Sequence, residues 1–419
     1  MSMKSVRFLP ALAASLALGL LSACAHVAAG PVPVAAAIEE RAPVTILVSI
    51  DGFRPDYLDR GLTPNLNALA AGGVKAAMRP SFPSKTFPNH YAIVTGLRPD
   101  RNGIVGNKME DPRRPGVTFT LGDAKQALDP FWWDEAEPIW VTAGAQGVRT
   151  ATLFWPGSEV AIHGRRPDDW WRYDENIPNS QRVDAVIDWL RRPAAKRPRL
   201  LTLYFDTVDT AGHAYGPAAA ETDGAIAEVD RRIGDLVANL AAIGQPANIV
   251  VVSDHGMAAT SDDRVIRIDR IVDPATIRLV ADGPYAAIDP VAGSDARLAG
   301  ELLKPHDHMQ CWRKSEIPAR FHFGANPRVP AYLCLADPGW LIFAAQPAWP
   351  AKGGNHGYDS DAPDMRATFI AAGPGIGGRG TLPVFDNVDV YPLLARLAGI
   401  RPRETDGDPA TLAGIVAGR

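Results

Sequence analysis

Cysteine is scarce, with three in 419 residues, and none lies near the segment that carries the chemistry argued below. That excludes a fold built on a disulfide framework and disfavours a sulfatase, which would need a cysteine in a nucleophile setting. Basic excess is also missing. Lys and Arg number 43 against 47 Asp and Glu, for a net charge of −4, so no overall positive field draws in nucleic acid or an anionic membrane surface. Long apolar runs are absent too: the stretch from Phe8 to Leu21, preceded by Lys4 and Arg7, is too short and wrongly flanked for an ordinary membrane span. There is no internal repeat. What remains is a globular chain with enough apolar content to bury the core of one large domain or two ordinary ones.

The first 24 residues, MSMKSVRFLPALAASLALGLLSAC, read as an export signal. Leu21, Ser22, Ala23 and Cys24 have the pattern of a bacterial lipobox, which predicts removal of residues 1–23 and acylation of Cys24; ordinary cleavage after a small residue is the alternative. Residues 24–43 are rich in alanine and proline and predict a flexible tether. The expected location is therefore the periplasm, with the chain lipid-anchored to a bacterial membrane. Cys311 and Cys334 either form one disulfide closing a surface loop or remain two buried thiols.

From Val44 onward short β-branched runs alternate with longer amphipathic stretches, predicting an α/β fold with a mostly parallel sheet and helices on both faces. VTILVSID (44–51), RLLTLYFD (199–206) and NIVVVSDHGM (248–257) are each an apolar run that stops at acidic residues. The segment 217–244 has helical spacing and ends at a glycine, as a crossover helix should. RATFIAAGPG (366–375) predicts a late strand and VDVYPLLARLAGI (388–400) a closing helix. Between about 262 and 350 many prolines interrupt the pattern, predicting a smaller inserted lobe. The expected catalytic domain is 44–400, with 401–419 a tail.

Thr86 lies in PSFPSKTFPNHYAIVTG, a polar, proline-rich run just before a helix-like stretch. Its hydroxyl serves either as a helix cap or as a nucleophile, and a nucleophile needs something nearby to remove its proton. Asp51 ends the first strand. Asp209 and His213 stand four apart in FDTVDTAGHAYGP, on one face if the segment is helical. Asp254 and His255 follow a buried strand, with Gly256 allowing a turn there, and His356 sits between glycines in GGNHGYDSD. Three aspartates and three histidines at the ends of separate strands and loops offer oxygen and nitrogen ligands suited to zinc. Two such ions about 4 Å apart clamp the attacking and departing oxygens of a displacement at phosphorus.

KTFPNHYAIVTGLRPDRNGIVGNKM, DTAGHAYGP, SDHGM and NHGYD, in this order and at these intervals, resemble the nucleotide pyrophosphatase/phosphodiesterase family of the alkaline phosphatase superfamily, bacterial type. FWPGSEVAI, EPIWVTA and RPDDWWRYDENIP extend the similarity over roughly residues 44–400. The resemblance implies two zinc ions, one held by Asp209, His213 and His356, the other by Asp51, Asp254 and His255 with the Thr86 oxygen. It implies that Asn107 donates to a non-bridging phosphate oxygen. Phe87 and Tyr173 are expected to sandwich a nucleobase, Trp155 and Glu159 to meet its edge, and Lys85 to attract phosphate. The sequence departs from the family at FDTVDTAGH, where relatives commonly have a glutamate-proline before the ligand aspartate and a serine after it, and at Gly106, where an aspartate is frequent. Asp206 is read as structural and His90 as a packing residue.

The expected substrates are nucleoside triphosphates, dinucleotides and aryl nucleotide esters, cleaved through a nucleotidyl-threonine intermediate to release nucleoside monophosphate. No stable nucleic-acid partner is expected. A choline-phospholipid phosphodiesterase and a phosphomonoesterase of the same superfamily are the alternatives, and a zinc-binding lipoprotein without turnover is the non-enzyme reading.

Overall fold

The computed structural model of the protein describes residues 39–417, so the export signal, Cys24 and most of the tether lie outside the described residues. The chain divides into a leading unit, residues 1–40, and one compact unit from Arg41 onward. None of the described helices is long and apolar enough to cross a membrane.

The compact unit is an α/β fold around a mostly parallel sheet. Ala247–Val252, Val44–Ile50, Leu200–Phe205, Thr150–Leu153 and Asp169–Trp171 lie side by side in that order, all parallel. Beyond them Ala367–Ala372 runs antiparallel to both Ala247–Val252 and Val74–Arg79. The alternation of side chains along a strand explains why the central runs are apolar throughout. Ile46, Val48 and Ile50 pack with Leu201, Leu203, Ile249 and Val251 on one face, while Leu47, Leu200, Val250 and Val252 join the core on the other.

The crossover helix spans Ala220–Ala242 and buries Ile226, Val229, Ile233, Leu236 and Leu240 on one stripe. Past its end Gly244 has φ +63°, the left-handed conformation that glycine adopts without steric cost. The segment before it forms a separate helix, Thr207–Tyr215.

Between Ile277 and Ala336 a four-stranded antiparallel sheet stands apart, in the order Ile277–Ala281, Tyr285–Pro290, Tyr332–Ala336, Met309–Arg313. Its own core includes Ile288, Leu298, Leu302 and Tyr332. Cys311 and Cys334 are register partners on adjacent strands there and are joined by a disulfide. Both are buried within the sheet, not at a surface loop.

Register places the chemistry. Ile50 pairs with Phe205 and Ser49 with Val252, so Asp51, the Asp206–Asp209 turn and Asp254 all leave the sheet at the carboxyl ends of three neighbouring parallel strands, where open α/β sheets bind ligands.

Candidate active site

Thr86 is the first residue of the helix Thr86–Thr95, and Lys85, which occupies the cap position, makes no side-chain cap hydrogen bond. The cap reading of Thr86 is therefore not realised. Its half-buried hydroxyl lies 3.3 Å from His255 Nε2. The same nitrogen is 2.9 Å from Asp254 Oδ2 and 3.4 Å from Asp51 Oδ1.

The histidine tautomers follow from their backbone partners, because a carbonyl accepts only from an N–H. Nδ1 of His255 donates to the Gly256 carbonyl, Nδ1 of His213 to Gly354 and Nδ1 of His356 to Ser84. With Nδ1 so occupied, all three rings turn Nε2 toward the carboxylates, the arrangement of metal-binding imidazoles held by a second partner. Two sets of ligand atoms lie within 4.8 Å of one another: Asp51, Asp254 and His255, and Asp209, His255 and His356. His255 thus falls in both. His213 stands at the more exposed edge, its Nε2 3.4 Å from Asp209 Oδ2 and 3.1 Å from His356 Nε2.

Charge is unbalanced in this nest. Asp51 is fully buried, and its carboxyl is pushed well above the usual range by burial and then by Asp254 and Asp209, with Tyr204 partly offsetting them. Burial opposes charge on His255, yet Asp254 outweighs it and draws the imidazole up. His356 is held well below its ordinary value by burial and by His255 and Lys85, which keeps its ring neutral. Buried Asp51 Oδ1 and Asp209 Oδ1 have no hydrogen-bond partner among the described residues. Orphaned carboxylate oxygens beside imidazole Nε2 atoms are the donor set of a divalent cation, so these residues fit zinc.

Two glycines make the nest possible. Gly52 has φ +67°, and a Cβ there would sit 3.0 Å from Asp209 Oδ1. Gly256, expected to serve a turn, instead serves close packing: its φ is not positive, and a Cβ would meet the Asp364 carbonyl at 2.1 Å.

A cavity of about 350 Å³ opens from Thr86 and is lined by Phe87, Trp133, Phe154, Trp155, Glu159 and Tyr173 among others. A larger space of about 900 Å³, lined by Pro43, Arg199 and Asn248, lies at the amino ends of the strands and holds none of the site residues. Phe87 packs against Phe119 and Trp133. Its backbone N–H donates to Asn107 Oδ1 at 3.0 Å, which leaves the Asn107 amide hydrogens for another acceptor. Trp155 borders the cavity, but its buried indole N–H is already donated to the His90 carbonyl at 3.1 Å, so it serves as wall and not as a donor to a base edge. Glu159 lines the cavity too, with Oε1 accepting the Tyr173 backbone N–H at 2.7 Å, a bond that leaves Oε2 available to another donor. Lys85 lies outside the cavity, with Nζ 3.1 Å from Asn355 Oδ1, and burial lowers its ammonium to about 8.

Three residues play more than the part read from sequence. His90 is fully buried; its Nδ1 donates to the Thr86 carbonyl at 2.9 Å and lies 3.3 Å from Asp254 Oδ2, while Ser49 Oγ pairs with its Nε2 at 2.8 Å. Its i, i+4 spacing from Thr86 on a helix was the available signal. Tyr204 donates its hydroxyl to Asp51 Oδ2 at 2.6 Å; an inward tyrosine near the end of a buried strand was the clue. Asp206 is paired with Arg182 and Tyr173.

Comparison with known proteins supplies the family and the fold. The family model for type I phosphodiesterase / nucleotide pyrophosphatase matches residues 45–359. The chain is 38% identical over 370 residues to bis(5'-adenosyl)-triphosphatase enpp4 of Xenopus laevis, covering 87% of this chain and 80% of that protein. It is 36% identical over 390 residues to ectonucleotide pyrophosphatase/phosphodiesterase family member 1 of Mus musculus, covering 89% of this chain but only 43% of the longer mouse protein. Among solved structures, murine ectonucleotide pyrophosphatase/phosphodiesterase 5, in an inactive form carrying a threonine-to-alanine replacement and in complex with AMP, superposes with a TM-score of 0.85 at 32% identity, covering 90% of this chain and 100% of that one. A buried nest of aspartates and histidines around a helix-start hydroxyl, on a sheet shared with these enzymes, leaves one conclusion: the chain belongs to the nucleotide pyrophosphatase/phosphodiesterase family of the alkaline phosphatase superfamily, and it is a phosphodiesterase.

Proposed function

We propose that the protein hydrolyses phosphodiester and pyrophosphate bonds in nucleotides, using Thr86 as nucleophile and two zinc ions as cofactors. The observation that carries the reading is the convergence of the Thr86 hydroxyl, Asp254 Oδ2 and Asp51 Oδ1 on His255 Nε2, at 3.3, 2.9 and 3.4 Å from it. Asp209, His213 and His356 would hold one zinc, and Asp51, Asp254 and His255 with the Thr86 oxygen the other. Bound there, the pair would supply the positive charge that makes a threonine hydroxyl acidic enough to attack at neutral pH and offsets charge developing on the departing oxygen.

The chain's own part is a double displacement. Thr86 Oγ1 bonds to the α-phosphorus of a nucleoside triphosphate, dinucleotide or aryl nucleotide ester as the bond to the leaving oxygen breaks. Water then attacks the nucleotidyl-threonine, restoring the hydroxyl and releasing nucleoside monophosphate. Asn107, its carbonyl oxygen occupied by Phe87, turns its NH₂ to a non-bridging oxygen; a neutral amide suits a singly charged diester better than a dianionic monoester. Phe87 and Tyr173 flank the base, where stacking contributes on the order of 1–3 kcal/mol. The inactive threonine-to-alanine neighbour with bound AMP supports both the nucleophile and the ligand class. The relatives' description as ectonucleotide enzymes supports an exported chain, and the lipid anchor at Cys24 belongs to the same reading.

The test is a substrate panel on zinc-loaded protein with metal content measured alongside: p-nitrophenyl thymidine 5′-monophosphate, p-nitrophenyl phosphate and lysophosphatidylcholine. The nucleotide ester should be turned over fastest. Faster release of phosphocholine from the lipid, or preference for the simple aryl monoester, would replace this reading with the corresponding alternative.

A further inference from the structure

The part of the cavity lining that carries Tyr173 is held by a chain of polar contacts that begins in the core. Arg182 is 2% exposed. Its Nε donates to the Ile177 carbonyl at 3.0 Å, and its Nη1 donates to the Tyr204 carbonyl at 3.1 Å and to Asp206 Oδ1 at 2.7 Å. The other carboxylate oxygen of Asp206 accepts from the Tyr173 hydroxyl at 2.9 Å. Tyr173 is 43% exposed and lies just past the edge strand Asp169–Trp171, so packing alone does not fix its ring. Two charged acceptors do: Asp206 takes the hydroxyl, and Glu159 takes the backbone N–H at 2.7 Å.

Phe154 completes the arrangement. Its ring meets Tyr173 edge-on at 5.4 Å and lies 5.1 Å beneath the Arg182 guanidinium. Its backbone has φ +63°, the left-handed region that a bulky side chain rarely adopts and that persists only where surrounding contacts over-determine it. Asp206 also occupies the cap position of the helix Thr207–Tyr215, in whose first turn Asp209 lies. The tyrosine ring and a candidate metal ligand are thus referenced to one short, rigid turn.

We infer that Asp206, anchored by Arg182, is a positioning residue that fixes the Tyr173 ring relative to the Asp209 helix and thereby sets the selectivity for diesters bearing a flat, stackable group. This rests on the nucleotide reading above. Pre-organising a stacking ring lowers the cost of binding without touching the reacting atoms, so the effect belongs in KM and not in kcat.

The experiment is a double-mutant cycle with Tyr173→Phe, Asp206→Ala and the combined variant, assayed on p-nitrophenyl thymidine 5′-monophosphate and on methyl p-nitrophenyl phosphate, whose retained methyl group carries no base and cannot stack. Each single variant should raise the nucleotide KM by about three- to tenfold relative to that of the base-less diester, with the nucleotide kcat within about twofold. The combined variant should be no worse than either single one, because both remove the same contact. Asp206→Glu should restore part of the loss. Tyr173→Phe leaves Arg182 paired, so it reads the contact even if Asp206→Ala destabilises the fold. Single effects that multiply in the combined variant, or a KM ratio unchanged in Tyr173→Phe, overturn the inference while leaving the nucleotide reading intact. A wild-type protein that does not discriminate between the two substrates overturns both.

Discussion

The Nε2 atoms of His213 and His356 lie 3.1 Å apart, while Nδ1 of each ring donates to a backbone carbonyl. Two lone pairs at that separation repel unless a proton or a cation lies between them, and the burial of His356 disfavours the proton. Removing metal should therefore lower stability as well as activity. With chelator, the thermal midpoint should fall and zinc should restore it; metal held at a thousandfold excess over its dissociation constant corresponds to about 4 kcal/mol. Identical midpoints by calorimetry with and without chelator would count against a metal site here.

Thr86→Ala separates the nucleophile from the nest. The residue begins a helix without capping it, and the carboxylates and imidazoles have other partners, so bound zinc should stay near the wild-type stoichiometry. Turnover of the nucleotide ester should drop by at least about 10³-fold, and rapid quenching with labelled substrate should trap no protein-bound nucleotide. Diesterase activity close to that of the wild type would remove Thr86 from the mechanism.

Tyr204→Phe addresses the carboxylate that tyrosine holds. Its hydroxyl lies 2.6 Å from Asp51 Oδ2, and outer contacts of this kind typically govern 10–100-fold in metal affinity. The ring itself is buried against His90, so the variant keeps its packing. Competition against a chelator should show zinc bound about 10-fold or more weakly at one of two sites. An unchanged affinity would assign Tyr204 to packing alone.

Much of the site was legible because its residues end apolar runs. VTILVSI and ANIVVV are buried on both faces, and the first acids after them, Asp51 and Asp254, emerge together once parallel register is assumed. Asp209 and His213 were legible from spacing, since a helix puts i and i+4 on one side. What the sequence hid depends on which distant side chain faces which. The bond from His90 to Thr86 is local, but its approach to Asp254 exists only because the Thr86 helix packs over the end of another strand. Trp155 looked like a base-edge donor until the fold showed its N–H facing the His90 carbonyl. The reversed direction of Ala367–Ala372 was hidden for the same reason: an apolar run reads identically in either orientation.

Arg328, from the segment between two strands of the small sheet, reaches into the main domain and gives a pH prediction away from the metal nest. Its Nε donates to Asp111 Oδ2 at 2.7 Å, and its Nη1 donates to the carbonyls of Gly103 and Trp132 at 2.7 and 2.8 Å. Both side chains of the Arg328–Asp111 pair are fully buried. Hydrogen bonds from Arg113, with those from Arg328, hold the Asp111 carboxyl far below the usual carboxylate range despite the cost of burial. A depressed folded value means that the unfolded chain binds the proton first. The stabilisation is thus complete above the unfolded value of about 3.9 and is lost progressively as pH falls from there toward the folded value. Asp111→Asn leaves Arg328 with Glu135, 3.1 Å from its Nη2, as its one remaining carboxylate, which should cost about 1–3 kcal/mol at pH 7. That gap between wild type and variant should narrow as pH falls below about 4. Denaturant unfolding of both proteins in chelator, so that metal loss does not contribute, measures it. A gap that stays constant from pH 7 to pH 3 would mean that the pair contributes through shape and not through charge.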